Sequence, residues 1–389
     1  MWSVDWDGEF VVGGDGNTRL TPAFRLKEFR SPDGTVRVHR ELVSALQLLR
    51  ERFGRALAVR RTDRDGLGVV VAGEPLADLQ QAAAGVRERG IFADVAAEAE
   101  GLRVRIPTES LPLTIDQALE TAFSVTAGFE TAGDKFQQIT GNFDGAGLSF
   151  GPAQVNFGTG TLVPLFRAFE AADADALREC FADPDDYSDW QKILTQPRAD
   201  QIRWADSITT GRGRHDVADP WKGYFQAVGR VPAFREITVE TILREYGGKV
   251  ARAIEQLKRR SNITIDHLRC VCALYDLVVQ QGSLDKAMTA IDARLAAEPP
   301  TTQFELVRIA VEERGRAASP QWQADAVSRR VGILTGVPHT VDDRQRANIQ
   351  FYMLRNVRVE GVDRLVAGDV GVELARVRKA IASGDTLLA

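Results

Sequence analysis

The stretch Ile139-Thr-Gly-Asn-Phe-Asp-Gly-Ala-Gly-Leu-Ser-Phe-Gly151 decides how the chain is read. Glycines at 141, 145, 147 and 151 are too dense for a helix, because each adds backbone freedom that a helix must remove. Between them stand residues that suit a short hairpin or sheet. Upstream, Thr114 and Gln117 have the spacing of a capping box, and Ile115, Ala118, Leu119, Ala122 and Phe123 share one helical face. That helix should end near Gly128-Phe-Glu130. Downstream, helical periodicity returns over about 161–171, 175–182, 199–208, 238–246, 249–259, 263–281, 284–296, 303–314 and 320–334, with a last helix over 372–381. A mainly helical region is therefore interrupted by one small β element, and the expected class is α+β.

The front of the chain has another texture. Leu42, Val43, Leu46, Leu48 and Leu49 form a helical stripe that ends at Phe53-Gly54, where glycine suits a C-terminal cap. Residues 56–59 and 68–72 are β-like, an alanine-rich helix follows from about Pro75 to Gly90, and Leu102-Arg-Val-Arg-Ile106 alternates as a half-buried strand does. The prolines of Pro107-Thr-Glu-Ser-Leu-Pro112 mark a break. The expected organisation is a small α/β domain over 1–107, a linker at 108–112, a main domain over 113–350 and a C-terminal extension over 351–389.

Composition narrows the function. In 389 residues, 49 basic side chains face 54 acidic ones, a net charge of −5, which argues against a nucleic-acid binder relying on bulk basic charge. The histidines His39, His215, His267 and His339 are scattered, and Cys180, Cys270 and Cys272 fit no zinc motif and no disulfide framework, so neither metal nor cofactor is expected. No apolar run reaches 18 residues, so no membrane span is expected. The start Met-Trp-Ser-Val-Asp-Trp-Asp-Gly-Glu lacks the basic and apolar regions of a secretory signal.

Two carboxyl groups bracket the glycine-rich stretch. Glu130 closes an amphipathic helix beside Phe129, and a carboxyl against apolar surface holds its proton more tightly. Asp144 lies in Asn142-Phe-Asp-Gly-Ala-Gly147, where glycines let the backbone turn and approach a ligand. The plain alternatives are a surface glutamate and a simple Asp-Gly turn. Together the two supply what glycoside hydrolysis needs: one group protonates the leaving oxygen and the other activates water. Asn142, Gln154 and Asn156 near the turn are candidate sugar contacts. Asp276, in the apolar run 271–279, either pairs with an arginine such as Arg308 or Arg316 or joins Gln280 and Gln281 in binding sugar. Trp204, Trp221, Tyr224 and Trp322 are sugar-stacking candidates whose ordinary role is core packing.

These segments carry a resemblance. Phe129-Glu130, Gly141-Asn-Phe-Asp-Gly-Ala-Gly-Leu-Ser-Phe-Gly151 and Asn156-Phe-Gly-Thr-Gly-Thr161 look like the active-site segment of chitosanases of glycoside hydrolase family 46, in the lysozyme superfamily. Cys272-Ala-Leu-Tyr-Asp-Leu-Val-Val-Gln-Gln-Gly282 resembles that family's buried helix, and the likeness covers about 113–340. It implies a lysozyme-like fold, Glu130 as general acid, Asp144 as general base, Ser149 helping to hold the attacking water, and inversion at the anomeric carbon. A second resemblance lies in front. Residues 20–107, through Phe24-Arg-Leu-Lys-Glu-Phe-Arg-Ser-Pro-Asp-Gly34 and Leu46-Gln-Leu-Leu-Arg50, look like the opening of VanY-like zinc D-alanyl-D-alanine carboxypeptidases. The places where their metal-binding histidines would fall, 65–70 and 102–105, contain none, which implies a degenerate copy.

The expected activity is thus cleavage of a β-1,4-linked amino-sugar polymer, with peptidoglycan favoured over chitosan because the front domain resembles cell-wall peptidases. A chitosanase, a lytic transglycosylase using Glu130 alone, and a non-catalytic wall-binding or phage-particle protein are the alternatives. Action at the bacterial wall without a signal implies non-classical export or phage delivery, with a phage-tail or secretion-system partner.

Overall fold

A computed structural model of the chain describes residues 4–21, 23–31, 33–88, 90–109, 111–130, 135–152, 154–346 and 354–367. Antiparallel strands β1 (Val4–Asp7) and β2 (Phe10–Gly14) pair, and β2 also pairs with β3 (Val38–His39), which runs into helix α1 (Arg40–Phe53). Gly54 closes α1 at φ 70°, the left-handed cap that its sequence calls for. Then come β4 (Ala58–Thr62), β5 (Gly68–Ala72), α2 (Leu76–Glu88), β6 (Asp94–Glu98) and β7 (Gly101–Arg105). These strands make an antiparallel sheet in the order β4-β5-β7-β6. Alternation sets its two faces: Leu102 and Val104 enter the core, while Arg103 and Arg105 turn outward to Asp63 and Asp65.

β8 (Leu113–Thr114) leads into α3 (Ile115–Glu130). The capping box forms as its sequence requires, with Thr114 N–H donating to Gln117 Oε1 and Gln117 N–H to Thr114 Oγ1. Next, β9 (Ile139–Thr140), β10 (Ser149–Phe150) and β11 (Val155–Asn156) form a small antiparallel sheet with β10 at its centre. Helices α4 (Leu162–Ala172), α5 (Ala174–Glu179), α6 (Pro184–Thr195) and α7 (Arg198–Ser207) follow. A hairpin of β12 (Thr209–Thr210) and β13 (Asp216–Val217) precedes α8 (Trp221–Val228) and α9 (Pro232–Ser261). The chain continues through α10 (Leu268–Gln281), α11 (Met288–Ala297), α12 (Gln303–Arg316) and α13 (Pro320–Thr335). It then forms the hairpin of β14 (Thr340–Val341) and β15 (Arg344–Gln345), then β16 (Val359–Glu360) and α14 (Val362–Val366). Parallel pairing joins β16 to β8. The class is α+β.

The chain divides into two compact units. The first is built mainly from Met1–Val125 and Arg252–Asp363, the second mainly from Thr126–Ala251. The division therefore runs differently from the boundaries at 107 and 113, since the front α/β segment shares a unit with α10, α12 and α13. In the first unit, Leu42, Leu46 and Leu49 of α1 and Leu79, Ala83 and Val86 of α2 cover Val69, Val71, Leu102 and Val104 of the sheet. The core of the second unit is aromatic: Phe150, Phe157, Phe166, Trp190, Phe225 and Phe234 pack mostly edge-on or tilted.

Several elements differ from the sequence reading. The helices expected at 238–246 and 249–259 are one, α9, which passes through Gly247-Gly248. Ion pairs Arg244–Glu240 and Lys249–Glu245 flank and span the glycines, and the buried stripe Val239, Leu243, Val250, Ile254, Leu257 stays in phase across them. Helix α10 starts at Leu268 rather than 263, because His267 caps it and the β-branched Ile263-Thr-Ile265 precedes it outside any helix. Strand β6 and helices α6 and α8 were not expected. The helix expected at 372–381 lies outside the described residues, as does most of 351–389.

Candidate active site

The loop between β9 and β10 is shaped by one asparagine. Asn142 is buried, its backbone N–H donates to Thr209 Oγ1 at 2.9 Å, and its Nδ2 donates to Asp206 Oδ1 at 3.0 Å. Its Oδ1 accepts the Gly147 N–H at 2.8 Å, which closes residues 142–147 into a fixed turn. Asp206 is held in place by Arg214. Gly141 N–H donates to His215 O at 3.3 Å, and a Cβ at 141 would lie 2.6 Å from Asp216 O and 2.8 Å from Arg214 O, so only glycine lets β9 lie this close to the β12–β13 hairpin. Gly147, at φ +89°, makes the return turn over Phe157.

Asp144 stands exposed at the tip of this turn. Its Oδ1 accepts the Ala146 N–H at 3.0 Å, and among the described residues no donor reaches its other oxygen. Beside it Phe143 is 46% exposed and stacks on His215 with ring centroids 4.5 Å apart and 26° between planes. Ser149, in the central strand β10, is buried and pairs across to Thr140 and Asn156. Glu130 is the last residue of α3 in the same unit; its side chain lies outside the described residues.

The other expected residues of this region serve the turn itself. Gln154, at φ 50°, donates its side-chain N–H to Gly151 O, and Asn156 Nδ2 donates to Gln154 O. Asn156 Oδ1 also accepts from Thr159 N–H at 2.7 Å and from Thr159 Oγ1 at 3.0 Å, which fixes the entry to α4. Trp204, Trp221 and Tyr224 pack among one another and Trp190, and the Tyr224 hydroxyl donates to Asp186, so these three belong to the core. Trp322, in the first unit, is 56% exposed.

Asp276 belongs to the first unit and is 0% exposed. Its partners are Arg329, whose Nε lies 2.7 Å from Oδ1, and Arg330, whose Nε lies 3.3 Å from Oδ2, rather than Arg308 or Arg316. Burial lowers Arg330 to about 10, and the Asp276 charge opposes that shift. Arg330 also donates to Oε1 of Gln280 and Gln281, so the two glutamines anchor a guanidinium. An enclosed carboxylate with both oxygens engaged by arginines has no face open to a sugar. Cys270 and Cys272 are buried beside it, and burial raises both thiols.

A cavity of about 420 Å³ in the first unit is lined by Arg294, Glu298, Pro299, Pro300, Thr301, Glu305, Arg308 and Ile309. Its charges are engaged within the protein: Arg294 with Glu298, Glu312 and Glu313, Arg308 with Glu312, and Glu305 with Thr301 and Thr302. None of the expected catalytic or sugar-binding residues lines it.

Phe143 and His215 escaped the sequence reading. Seventy-odd residues separate them, and the one available signal was a large aromatic set between two turn formers, Asn142 and Asp144.

No family model and no curated protein matches the chain. Among solved structures, a native chitosanase from Bacillus subtilis MY002 is similar with a TM-score of 0.39 and 13% identity, over 57% of this chain and 88% of that one. A mutant of the Bacillus subtilis MY002 chitosanase complexed with 6 GlcN gives 0.38 and 13%, over 57% and 88%. A structure titled as a chitosanase complex gives 0.38 and 18%, over 59% and 95%.

Proposed function

We propose that the protein is a glycoside hydrolase that cleaves β-1,4 linkages of an amino-sugar polymer by inversion, with Glu130 as acid and Asp144 as base. The observation that carries this reading is the setting of Asp144: an exposed carboxylate at the tip of a turn fixed by Asn142, in the unit that also contains the end of α3. In the reaction Glu130 gives its proton to the glycosidic oxygen. Asp144 takes a proton from a water that attacks the anomeric carbon from the opposite face. The free oxygen of Asp144 is the natural acceptor, because the other is engaged by Ala146 N–H. Ser149 is assigned to the hold on that water. Asn142, Gln154 and Asn156 act by shaping the turn, and Asp276 and Gln280 by fixing Arg330.

Peptidoglycan is proposed as the polymer, on a resemblance of residues 20–107 to cell-wall peptidases read from the sequence alone, with chitosan second.

Purified peptidoglycan and chitosan are digested separately and the new chain ends identified by mass spectrometry. Hydrolysis leaves free reducing sugars, and both Glu130→Gln and Asp144→Asn should lower turnover by at least about a hundredfold, the usual contribution of a general acid or base. Anhydro-muramic ends with activity surviving in Asp144→Asn identify a transglycosylase instead. Binding that Glu130→Gln leaves intact, with no product from the wild type, identifies a wall-binding protein.

A further inference from the structure

The pair Phe143–His215 has no role in the acid–base scheme, yet its setting is specific. Single exposed aromatics are common on protein surfaces and need no partner. This one differs in three respects. The Phe143 ring lies face to face with the His215 ring, 4.5 Å between centroids, so one ring face is covered while 46% of the residue stays open. Its backbone is pinned on both sides, by the Asn142 bonds to Thr209, Asp206 and Gly147 and by the bond from Gly141 N–H to His215 O. It also immediately precedes Asp144, whose free oxygen points to no described donor.

We infer that Phe143, backed by His215, is a platform that seats one pyranose ring of the polymer beside Asp144; this rests on the glycosidase reading and adds a substrate-positioning residue to it. A β-1,4-linked hexopyranose carries its hydroxyl and amino substituents around the rim, which leaves flat faces of C–H groups. Such a face suits an open aromatic face, while rim groups seek polar partners such as a carboxylate. The His215 ring fixes the tilt of the phenyl, so the sugar is received in one orientation. Because the C2 substituent lies at the rim, the platform is indifferent to N-acetylation, and chitosan and peptidoglycan strands both fit it.

Steady-state kinetics on soluble peptidoglycan strands and on chitosan test the platform, with binding to each polymer measured by calorimetry. Phe143→Ala should raise KM about tenfold on the polymer that the wild type cleaves, with kcat within about twofold, the size expected for one aromatic stacking contact. Phe143→Trp should restore KM, which a merely structural role would not produce. The melting temperature of Phe143→Ala should match the wild type, since much of the ring is in solvent. An unchanged KM, or a loss confined to kcat, overturns the platform while hydrolysis by the wild type stands. Wild-type binding without cleavage, weakened tenfold by Phe143→Ala, overturns the hydrolase and keeps the platform. A wild type that neither binds nor cleaves either polymer overturns both.

Discussion

His267 and His39 each cap a helix with an unprotonated nitrogen: Nδ1 of His267 accepts the Arg269 N–H, and Nδ1 of His39 accepts the Glu41 N–H. Burial lowers both, and for His267, with the Arg269 charge adding to it, the value falls to about 4. A histidine held down in the fold takes up its proton first in the unfolded chain, near 6.5. Its contribution to stability is therefore complete above about pH 6.5 and is lost as the pH falls toward 4. His267→Asn, which caps without titrating in that range, should flatten the fall in urea midpoint between pH 6.5 and 4 while leaving the midpoint at pH 7.5 nearly unchanged. A slope equal to that of the wild type would reject this account. Asp276 makes a second case. Asp276→Asn removes the carboxylate that Arg329 and the fully buried Arg330 both contact and should cost about 3–5 kcal/mol in urea unfolding. That Asp276 is buried and arginine-bound was legible in the apolar run around it. Which arginines bind it was not, because the adjacent pair Arg329-Arg330 lies on another helix, 53 residues on.

At the scale of elements, local chemistry was the readable part. The capping box of α3, the glycine end of α1 and the small sheet around Asp144 all follow from residues within a few positions of one another. What escaped depends on partners distant in sequence. Glycine pairs mark breaks in isolated helices, yet α9 continues because its buried stripe and flanking ion pairs outweigh about 1 kcal/mol per glycine. Its place in the turn suggests a sugar contact for Asn142; its bonds to Asp206 and Gly147 give it a shaping role that only the fold reveals. Asn142→Ala strands the buried Gly147 N–H and should cost about 1–3 kcal/mol by thermal or urea unfolding. If Asp144 is the base, the same variant should lower kcat more than it alters KM. A variant as stable as the wild type would show that the turn holds without its bracket.

For the molecule as a whole, the first unit is held together by charge as well as by its core. Glu9, at the turn between β1 and β2, meets Arg40 of α1 and Arg269 of α10, whose side chains are 1% and 5% exposed. Arg40 also donates to Gly336 O, and Arg269 to Thr335 O and Leu354 O. Glu9→Gln keeps the shape and removes the charge that both guanidiniums share. It should lower stability by about 2–3 kcal/mol, below the range for fully enclosed pairs because Glu9 is itself 20% exposed. The fall should appear in the transition of the first unit by differential scanning calorimetry.

The parallel pairing of β8 with β16 has a consequence for synthesis. Leu113 is made well before its partner Val359, with the main stretch of the second unit, Thr126–Ala251, translated between them. At roughly 5–20 residues per second, the early strand leaves the ribosome tens of seconds before its mate exists. A nascent chain arrested before Val359 carries an unmatched edge at β8, so stalling there should favour capture by chaperones or neighbouring chains. Arrest far enough beyond Glu360 for Val359 to clear the ribosome should relieve it.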